Sequence, residues 1–196
     1  MRQGNSIFTV GHSTHSMDKF LQLLKAHQVT AIADVRSSPY SRHVPHFSRE
    51  TLSEALAENG VAYVFLGREL GARSRDNSCY VNDVVSYDRL SNTSEFQSGI
   101  HRLLDGRKSY RISLMCSEKD PTECHRTILV AKRLVEIAVP VVHILGDGSV
   151  EPHEDTMLRV ADILGMPRND LLRSERDVIA DAYKFREKQI AYRRRG

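Results

Sequence analysis

The turn between residues 116 and 126 contains the side chains of this sequence that are best suited to chemistry. They are Cys116, Glu118, Cys124, His125 and Arg126, within the string CSEKDPTECHR. A cysteine thiolate is a nucleophile and a ligand for soft metals, histidine transfers protons, and arginine binds anions. The Asp-Pro-Thr-Glu run inside the string is typical of a helix start, and a helix N-terminus attracts anions and lowers the pKa of a nearby thiol. We therefore expect Cys116 to face a helix N-terminus.

Two functional interpretations of this turn are open. In the first, Cys116 or Cys124 is a nucleophile, Arg126 holds an anionic substrate, and His125 or His12 moves a proton. In the second, Cys116, Cys124 and His125 bind a metal ion. Their spacing matches no standard zinc pattern, so a fourth ligand would have to come from elsewhere in the chain.

A structural interpretation of the same turn is also open. Small cysteines pack at buried turns, and Arg126 would then pair with Glu118 or with Asp34. Cys79 belongs to no motif and is interpreted as an incidental thiol. His143 lies inside an apolar run, which predicts a core histidine whose ring nitrogens are hydrogen-bonded.

A second polar group follows another apolar run. Asp34 and Arg36 are two residues apart, so in an extended chain their side chains point to the same face. Asp34 could orient a base or bind a hydroxyl while Arg36 binds phosphate. The alternative is an ion pair that closes the loop. Ser41 and Arg42 follow in a proline-punctuated loop and are further candidates for binding an anion.

The first apolar run ends in Gly11-His12-Ser13. Three residues are too few for a specific phosphate motif, so Gly11 and Ser13 are candidates by position alone. His12 is a candidate acid or base for the same reason. Gly146-Asp147-Gly148 follows the last apolar run and predicts a turn rather than a site.

These groups follow apolar segments that alternate with amphipathic ones. Strands are predicted at residues 7–10, 31–35, 61–65, 112–115 and 141–145. Helices are predicted at 16–26, from Ser48, from a capping box at Ser94, from Asp120 past Leu134, at 154–164 and at 176–192. The pattern indicates a three-layer α/β fold, a mainly parallel sheet of about five strands with helices on both faces. We expect residues 1–150 to form the α/β core and 151–196 a helical extension with a basic tail.

The predicted fold gives the polar residues a common location. In open α/β sheets, ligands bind beyond the carboxyl ends of the strands. The glycine–histidine–serine, aspartate–arginine and cysteine groups each follow a strand at that edge. A long polar connection, from Gly67 to about residue 82, follows the third strand there. We therefore expect one polar site at the strand carboxyl ends.

Composition limits the function classes. Apolar residues are 40% and charged residues 27% of the 196, which excludes collagen-like and disordered chains, and no apolar run is long enough to span a bilayer. The formal charge of +3 lies in the tail, since residues 173–196 carry +4 and the remainder −1. Three cysteines without a secretory signal lead us to expect a cytoplasmic protein with free thiols and no membrane partner.

The motifs in combination resemble a family of bacterial and archaeal proteins catalogued as domain of unknown function 488. The resemblance covers roughly residues 7–146 and departs from the expected pattern at Ala72, where a second glycine is expected. It implies an α/β fold and a shared polar site, and it supplies neither a reaction nor a substrate. The residues that carry it are Gly11-His12-Ser13, Asp34-Val35-Arg36, Pro39, Ser41, Phe47, Leu70-Gly71, Cys116, Glu118 and Cys124-His125-Arg126.

These observations favour an enzyme or enzyme-type domain, a thiol- or acid/base-dependent hydrolase or transferase. Its ligand would be small and anionic, such as a nucleotide or a nucleic-acid-derived base or nucleoside. The catalytic candidates are His12, Asp34, Cys116, Glu118, Cys124 and His125. The ligand-binding candidates are Gly11, Ser13, Arg36, Ser41, Arg42 and Arg126.

Two alternatives from other classes remain. One is a nucleic-acid-binding protein that uses the loop arginines and the tail arginines 193–195. A frayed, solvated terminus is the plainer interpretation of that tail. The other is a metal-binding module with Cys116, Cys124 and His125 as ligands. The sequence does not identify a cofactor or an oligomeric state.

Overall fold

The structure is a computed structural model that describes residues 6–167 and 173–194. Its strands are β1 (Ile7–Gly11), β2 (Ala31–Asp34), β3 (Ala62–Phe65), β4 (Tyr80–Val81), β5 (Val84–Val85), β6 (Ile112–Cys116), β7 (Val141–Ile144) and β8 (Val150–Pro152). Its α-helices are α1 (Met17–Ala26), α2 (Arg49–Glu58), α3 (Tyr87–Ser91), α4 (Ser94–Gly106), α5 (Lys132–Glu136), α6 (His153–Ile163) and α7 (Glu175–Ile190). Among the described residues, no helix has the length and apolar character needed to cross a membrane.

Six strands form one sheet in the order β3-β2-β6-β1-β7-β8, and β4 and β5 form a separate hairpin. The five predicted strands run parallel, and β8 adds an antiparallel edge. The predicted α/β fold is therefore confirmed, with one strand more than expected. β8 has no apolar run to reveal it, because it is three residues long, ends in proline and buries none of its residues.

The sheet separates two apolar cores. Alternate residues of the central strands point to opposite faces, so Phe8 and Ile32 pack on the side of α1 and α2. Ile7 and Ala33 pack on the other side, together with apolar residues of α4, α6 and α7. Helices thus cover both faces, which leaves the carboxyl ends of the parallel strands as the edge where polar loops meet.

The predicted serine caps agree with the structure only in part, since Ser48 stands at the N-cap of α2 but its side chain makes no capping hydrogen bond. Ser16 accepts a hydrogen bond from the backbone N–H of Lys19 and caps α1, as predicted. The predicted cap of α4 at Ser94 is wrong by one residue, because the hydroxyl of Thr93 accepts the N–H of Phe96. Serine and threonine are both favoured N-cap residues, so residue type alone does not decide between adjacent candidates.

The prediction of a continuous helix from Asp120 is wrong. Asp120 does cap a turn, but the turn is a short 3-10 helix, Pro121–Glu123. The next residue, Cys124, is extended (φ −127°, ψ 140°) and breaks the helix. The chain then forms a π-helical segment, Arg126–Ala131, which continues into α5. Wide turns of this kind occur often at functional sites.

The last helix ends two residues earlier than predicted, and the chain beyond it is not frayed. The backbone N–H of Val85 donates to the carbonyl of Tyr192, and Arg193 pairs with Val84. Arg194 lies over the Tyr80 ring, 3.6 Å from its centroid. The interpretation of the tail as a free terminus is therefore wrong as far as Arg194, whereas Arg195 lies outside the described residues.

Candidate metal centre and adjoining cleft

Two backbone hydrogen bonds hold the loop after β6 against the end of β1. The N–H of His12 donates to the carbonyl of Cys116, and the N–H of Ser13 donates to the carbonyl of Ser117, both at 2.9 Å. A Cβ on Gly11 would lie 1.9 Å from the Glu118 carbonyl oxygen, so only glycine permits this approach. Gly11 and Ser13 thus position the cysteine loop through their backbone.

Four potential ligand atoms converge at this loop. The Sγ atoms of Cys116 and Cys124, a carboxylate oxygen of Glu118 and a ring nitrogen of His125 all lie within 4.8 Å of one another. His125 Nδ1 is 3.6 Å from Cys116 Sγ and 3.9 Å from Cys124 Sγ. Cys124 Sγ and Glu118 Oε2 are 2.9 Å apart, within hydrogen-bond distance. Cys124 follows Cys116 by eight residues, and its extended conformation places it beside Glu118.

The backbone directly after β2 fixes the orientation of the His125 ring. His125 Nε2 donates to the carbonyl oxygen of Val35 at 3.0 Å. Nδ1 is therefore the ring atom that faces the two sulfurs and can bind a proton or a metal ion. Metal-binding histidines in proteins commonly donate their second ring nitrogen to a carbonyl or carboxylate in this way.

Negative charge in the cluster is concentrated on one sulfur. Burial and a hydrogen bond with Cys124 raise the pKa of Cys116 well above its ordinary value. Burial opposes ionisation of Cys124 as well, but the Cys116 hydrogen bond and the charge of Arg126 outweigh it and hold the pKa of Cys124 well below its ordinary value. Burial and the Cys124 charge in turn raise the pKa of Glu118. The cluster is thus a compact acceptor for positive charge.

Arg126 supports the cysteine loop from behind. It is fully buried and donates to the backbone carbonyls of Glu118, at 2.7 Å, and Lys119, at 3.3 Å. Its Nε donates to the hydroxyl of Thr9 at 3.3 Å. The structural interpretation expected Arg126 to pair with a carboxylate, and this is wrong because Arg126 binds main-chain carbonyls of the loop. These bonds hold the loop in the position that places the Glu118 carboxylate in the cluster.

Asp34 and Arg36 form the ion pair that the sequence offered as one alternative. Arg36 donates Nη2 to Asp34 Oδ2 at 2.6 Å and Nε to Oδ1 at 2.9 Å, and both side chains are at most 3% exposed. The Tyr63 hydroxyl donates to the same carboxylate at 2.8 Å. Because Val35 lies between the paired residues, the ion pair also fixes the carbonyl that orients His125.

His12 belongs to this buried network. Its Nδ1 donates to the Ser13 carbonyl, and its Nε2 accepts from Arg36 Nη1 at 3.1 Å. The ring stacks on Phe47 with centroids 4.4 Å apart. Burial lowers the pKa of His12 to about 4. The imidazole is therefore neutral at pH 7 and uses both nitrogens in the network.

A cleft of about 200 Å³ adjoins the cluster. Its wall carries positive and hydroxyl groups, from Arg36, Ser37 and Arg73, and its floor carries cluster residues, namely Cys116, Glu118 and His125. The rest of the lining, which includes one further carboxylate, comes from Ser38, Ala72, Tyr87, Ser117, Glu123, Ile190 and Tyr192. The guanidinium of Arg73 lies over the Tyr192 ring, 4.8 Å from its centroid, so the C-terminal segment forms part of the cleft.

Residues 16–132, more than half of the chain, match the model of the family described as Domain of unknown function DUF488. The protein is a DUF488 family member. The resemblance stated from the motifs is thereby confirmed. No curated protein and no solved structure is significantly similar to this chain.

The matched range of this DUF488 chain contains the whole cysteine cluster and the Asp34–Arg36 pair. His12 lies before it and Tyr192 after it. Of the ligand-binding candidates only Arg36 lines the cleft, and the predicted contact of Arg126 with an anion is wrong because Arg126 is fully buried behind the loop; outside the lining lie Gly11, Ser13, Ser41, Arg42 and Arg126. Arg42 is exposed, and the hydroxyl of Ser41 accepts the N–H of Val44 within its own loop.

Sequence reasoning missed three contributors to the site. The Val35 carbonyl is a backbone atom, so no residue type could reveal it. Tyr63 lies in an apolar strand, where a tyrosine is unremarkable. Tyr87 follows the long polar connection without any motif. The prediction for His143 is confirmed, since its ring bonds to Thr9 and to His153.

Proposed function

We propose that this DUF488 protein is a metal-dependent enzyme-type domain that binds a small anionic ligand. Its metal would be bound by Cys116, Glu118, Cys124 and His125, and the ligand would occupy the adjoining cleft. The observation that carries the proposal is the convergence of four ligand atoms from two thiols, one carboxylate and one imidazole within 4.8 Å.

The donor set favours zinc. Two thiolates with one imidazole select a borderline-soft ion in tetrahedral geometry. Zinc–sulfur and zinc–nitrogen bonds of ordinary length place sulfur and nitrogen about 3.5 Å apart in a tetrahedron. The two sulfurs lie 3.6 and 3.9 Å from His125 Nδ1, close to that separation. Cys124 Sγ and Glu118 Oε2, at 2.9 Å, are closer than two ligands of one zinc ion and would have to move apart to admit it.

The cluster offers one exchangeable position. Cys116 and Cys124 are buried, and His125 is fixed by the Val35 carbonyl, whereas Glu118 is exposed at the cleft. A zinc ion with three firm ligands and one open position polarises a bound substrate or lowers the pKa of bound water. The Glu118 position is therefore where a ligand in the cleft would reach the ion, which suits a hydrolase or transferase.

The cleft wall favours an anion. Arg36 uses three of its five N–H groups on Asp34 and His12, which leaves two N–H groups for a ligand. Arg73 and the Ser37 hydroxyl add donors to the same cleft. Two cations beside a bound metal would attract phosphate or carboxylate groups, including those of a nucleotide. The free thiols are suited to a reducing compartment such as the cytoplasm.

Zinc competition against a chromophoric chelator tests the metal proposal. We expect one tight site per chain, and substitutions Cys124→Ser and His125→Gln to weaken it by about 100-fold or more. Cys79→Ala is the control, because Cys79 is a buried free cysteine outside the cluster. Equal zinc affinity in all four proteins, or no zinc binding by the unsubstituted chain, would refute the proposal.

A further inference from the structure

Tyr87 carries a buried hydroxyl that has no partner. The side chain is 3% exposed, and its oxygen is shielded from solvent without a hydrogen bond to any described residue. Buried polar groups are nearly always hydrogen-bonded, and leaving one unpaired costs about 1–3 kcal/mol. An orphaned hydroxyl beside a candidate site therefore points to a partner that arrives with a ligand.

The position of Tyr87 is fixed by three elements. It opens α3, where Ser86 caps the helix, and the Ser86 N–H donates to the carbonyl of Cys79. The Tyr87 N–H donates to a carboxylate oxygen of Glu187 in α7 at 2.8 Å. The backbone of Tyr87 is thus held on both sides and its side chain is buried, so the orphaned hydroxyl is a built feature of this site.

The ring of Tyr87 lines the same cleft as the cysteine cluster. Cys116, Glu118 and His125 share that lining with it. Burial, followed by the negative charges of Cys124 and Glu187, raises the pKa of Tyr87. The phenol therefore keeps its proton. Its O–H group can gain a hydrogen bond by donating to an acceptor that enters the cleft.

We infer that the Tyr87 hydroxyl donates a hydrogen bond to an oxyanion bound at the cluster. This inference rests on the proposed function, because the oxyanion would sit at the exchangeable metal position beside Glu118. Arg36, Ser37 and Arg73 in the same lining also offer donors, and Glu123 is the one carboxylate in the lining outside the cluster. A ligand with several acceptor oxygens, as a phosphate group has, matches these donors, with one oxygen on Tyr87.

Phosphate binding to the cobalt-loaded protein tests this assignment. Cobalt(II) takes tetrahedral zinc sites and reports on its ligands by visible absorption. We expect inorganic phosphate to change that spectrum with saturation, and Tyr87→Phe to weaken phosphate binding about tenfold. Acetate, with two acceptor oxygens, is expected to bind more weakly to the unsubstituted protein. Tyr87→Phe should leave cobalt affinity unchanged and stability equal or higher, because it removes an unpaired group.

Tyr183→Phe is the matched control. Its hydroxyl is also buried but bonds to His153 Nε2, so its loss should lower stability and leave phosphate binding unchanged. The inference is wrong if the phosphate affinity of Tyr87→Phe stays within twofold of the parent, whatever happens to its stability. If the chain binds no cobalt, the metal proposal fails on its own. Phosphate titration of both metal-free proteins by calorimetry then decides the role of Tyr87.

Discussion

Asp34 and Arg36 are the charged residues of the site that are most costly to separate. Both are buried, and each of the Asp34 oxygens accepts at least one hydrogen bond from Arg36 or Tyr63. A buried pair contributes little net stability as a pair, but removing one partner leaves an uncompensated charge. The pair therefore acts chiefly to hold Val35, and with it His125, in one orientation.

Replacement of Asp34 by asparagine should show this cost. Asp34→Asn retains the shape of the side chain and removes the charge that Arg36 needs, so we expect the free energy of unfolding to fall by about 3–5 kcal/mol. Urea denaturation at pH 7 measures it. Asp105→Asn is the control, because the Asp105–Lys108 pair is exposed and its loss should leave stability unchanged. Equal effects of the two substitutions would show that Arg36 does not depend on Asp34.

At the scale of elements, the site depends on how closely the ends of β1 and β6 approach. The Glu118 carbonyl occupies the space that a side chain at Gly11 would fill. Cys116 is the last residue of β6 and Glu118 lies in the loop that follows, so a displacement of this loop moves two ligand atoms. The helical region that follows holds Cys124 and His125 against this loop.

Gly11→Ala should therefore weaken zinc binding without altering any ligand. A Cβ 1.9 Å from a backbone oxygen forces the loop to move, and we expect zinc affinity to fall about tenfold or more. Gly106→Ala is the control, since its nearest neighbour is the flexible end of Ile112 at 3.1 Å, far along β6 from the cluster. Zinc competition on both variants measures the difference, and unchanged affinity in Gly11→Ala would contradict the positioning role of this glycine.

Local signals predicted the elements better than they predicted the cluster. Apolar runs located all five parallel strands, because a strand buried on both faces reads as continuous hydrophobic sequence. The cap at Asp120 was also real, but the extended Cys124 that follows it depends on contacts with Glu118 and Cys116 from the preceding loop. Spacing along the chain therefore gave no zinc pattern. The ligand set emerges only when the 3-10 turn brings the second cysteine back to the first.

At the scale of the whole molecule, a chain of hydrogen bonds joins the sheet to the C-terminal helices. Thr9 in β1 bonds to His143 in β7, His143 bonds to His153 at the start of α6, and His153 bonds to Tyr183 in α7. Burial lowers the pKa of His153 to about 4 and holds that of His143 well below its ordinary value. Both rings are neutral links between layers of the fold.

The two buried neutral histidines of this hydrogen-bond network predict that the protein loses stability in acid. The unfolded protein binds protons on these histidines near pH 6.5, whereas the folded protein excludes them, so stability is complete above that pH and declines toward pH 4. We expect about 2 kcal/mol lost for His153 between pH 7 and pH 5, with a further loss from His12, whose pKa is also lowered to about 4. Urea denaturation across this range measures it.

Two substitutions locate the source of that pH dependence. His153→Gln should flatten the curve, because glutamine does not titrate, although its stability at pH 7 should be lower. His43→Gln replaces an exposed histidine and should retain the full dependence. A curve that stays as steep in His153→Gln as in the unsubstituted protein would show that acid acts elsewhere in the molecule.

The central claim is that the cysteine cluster binds zinc through four residues of this chain. X-ray absorption at the zinc edge, on protein loaded with one equivalent of zinc, tests it most directly. We expect two sulfur neighbours at about 2.3 Å and two nitrogen or oxygen neighbours at about 2.0–2.2 Å, with Cys124→Ser reducing the sulfur count to one. A zinc shell of nitrogen and oxygen alone, or one that Cys124→Ser leaves unchanged, would contradict the account.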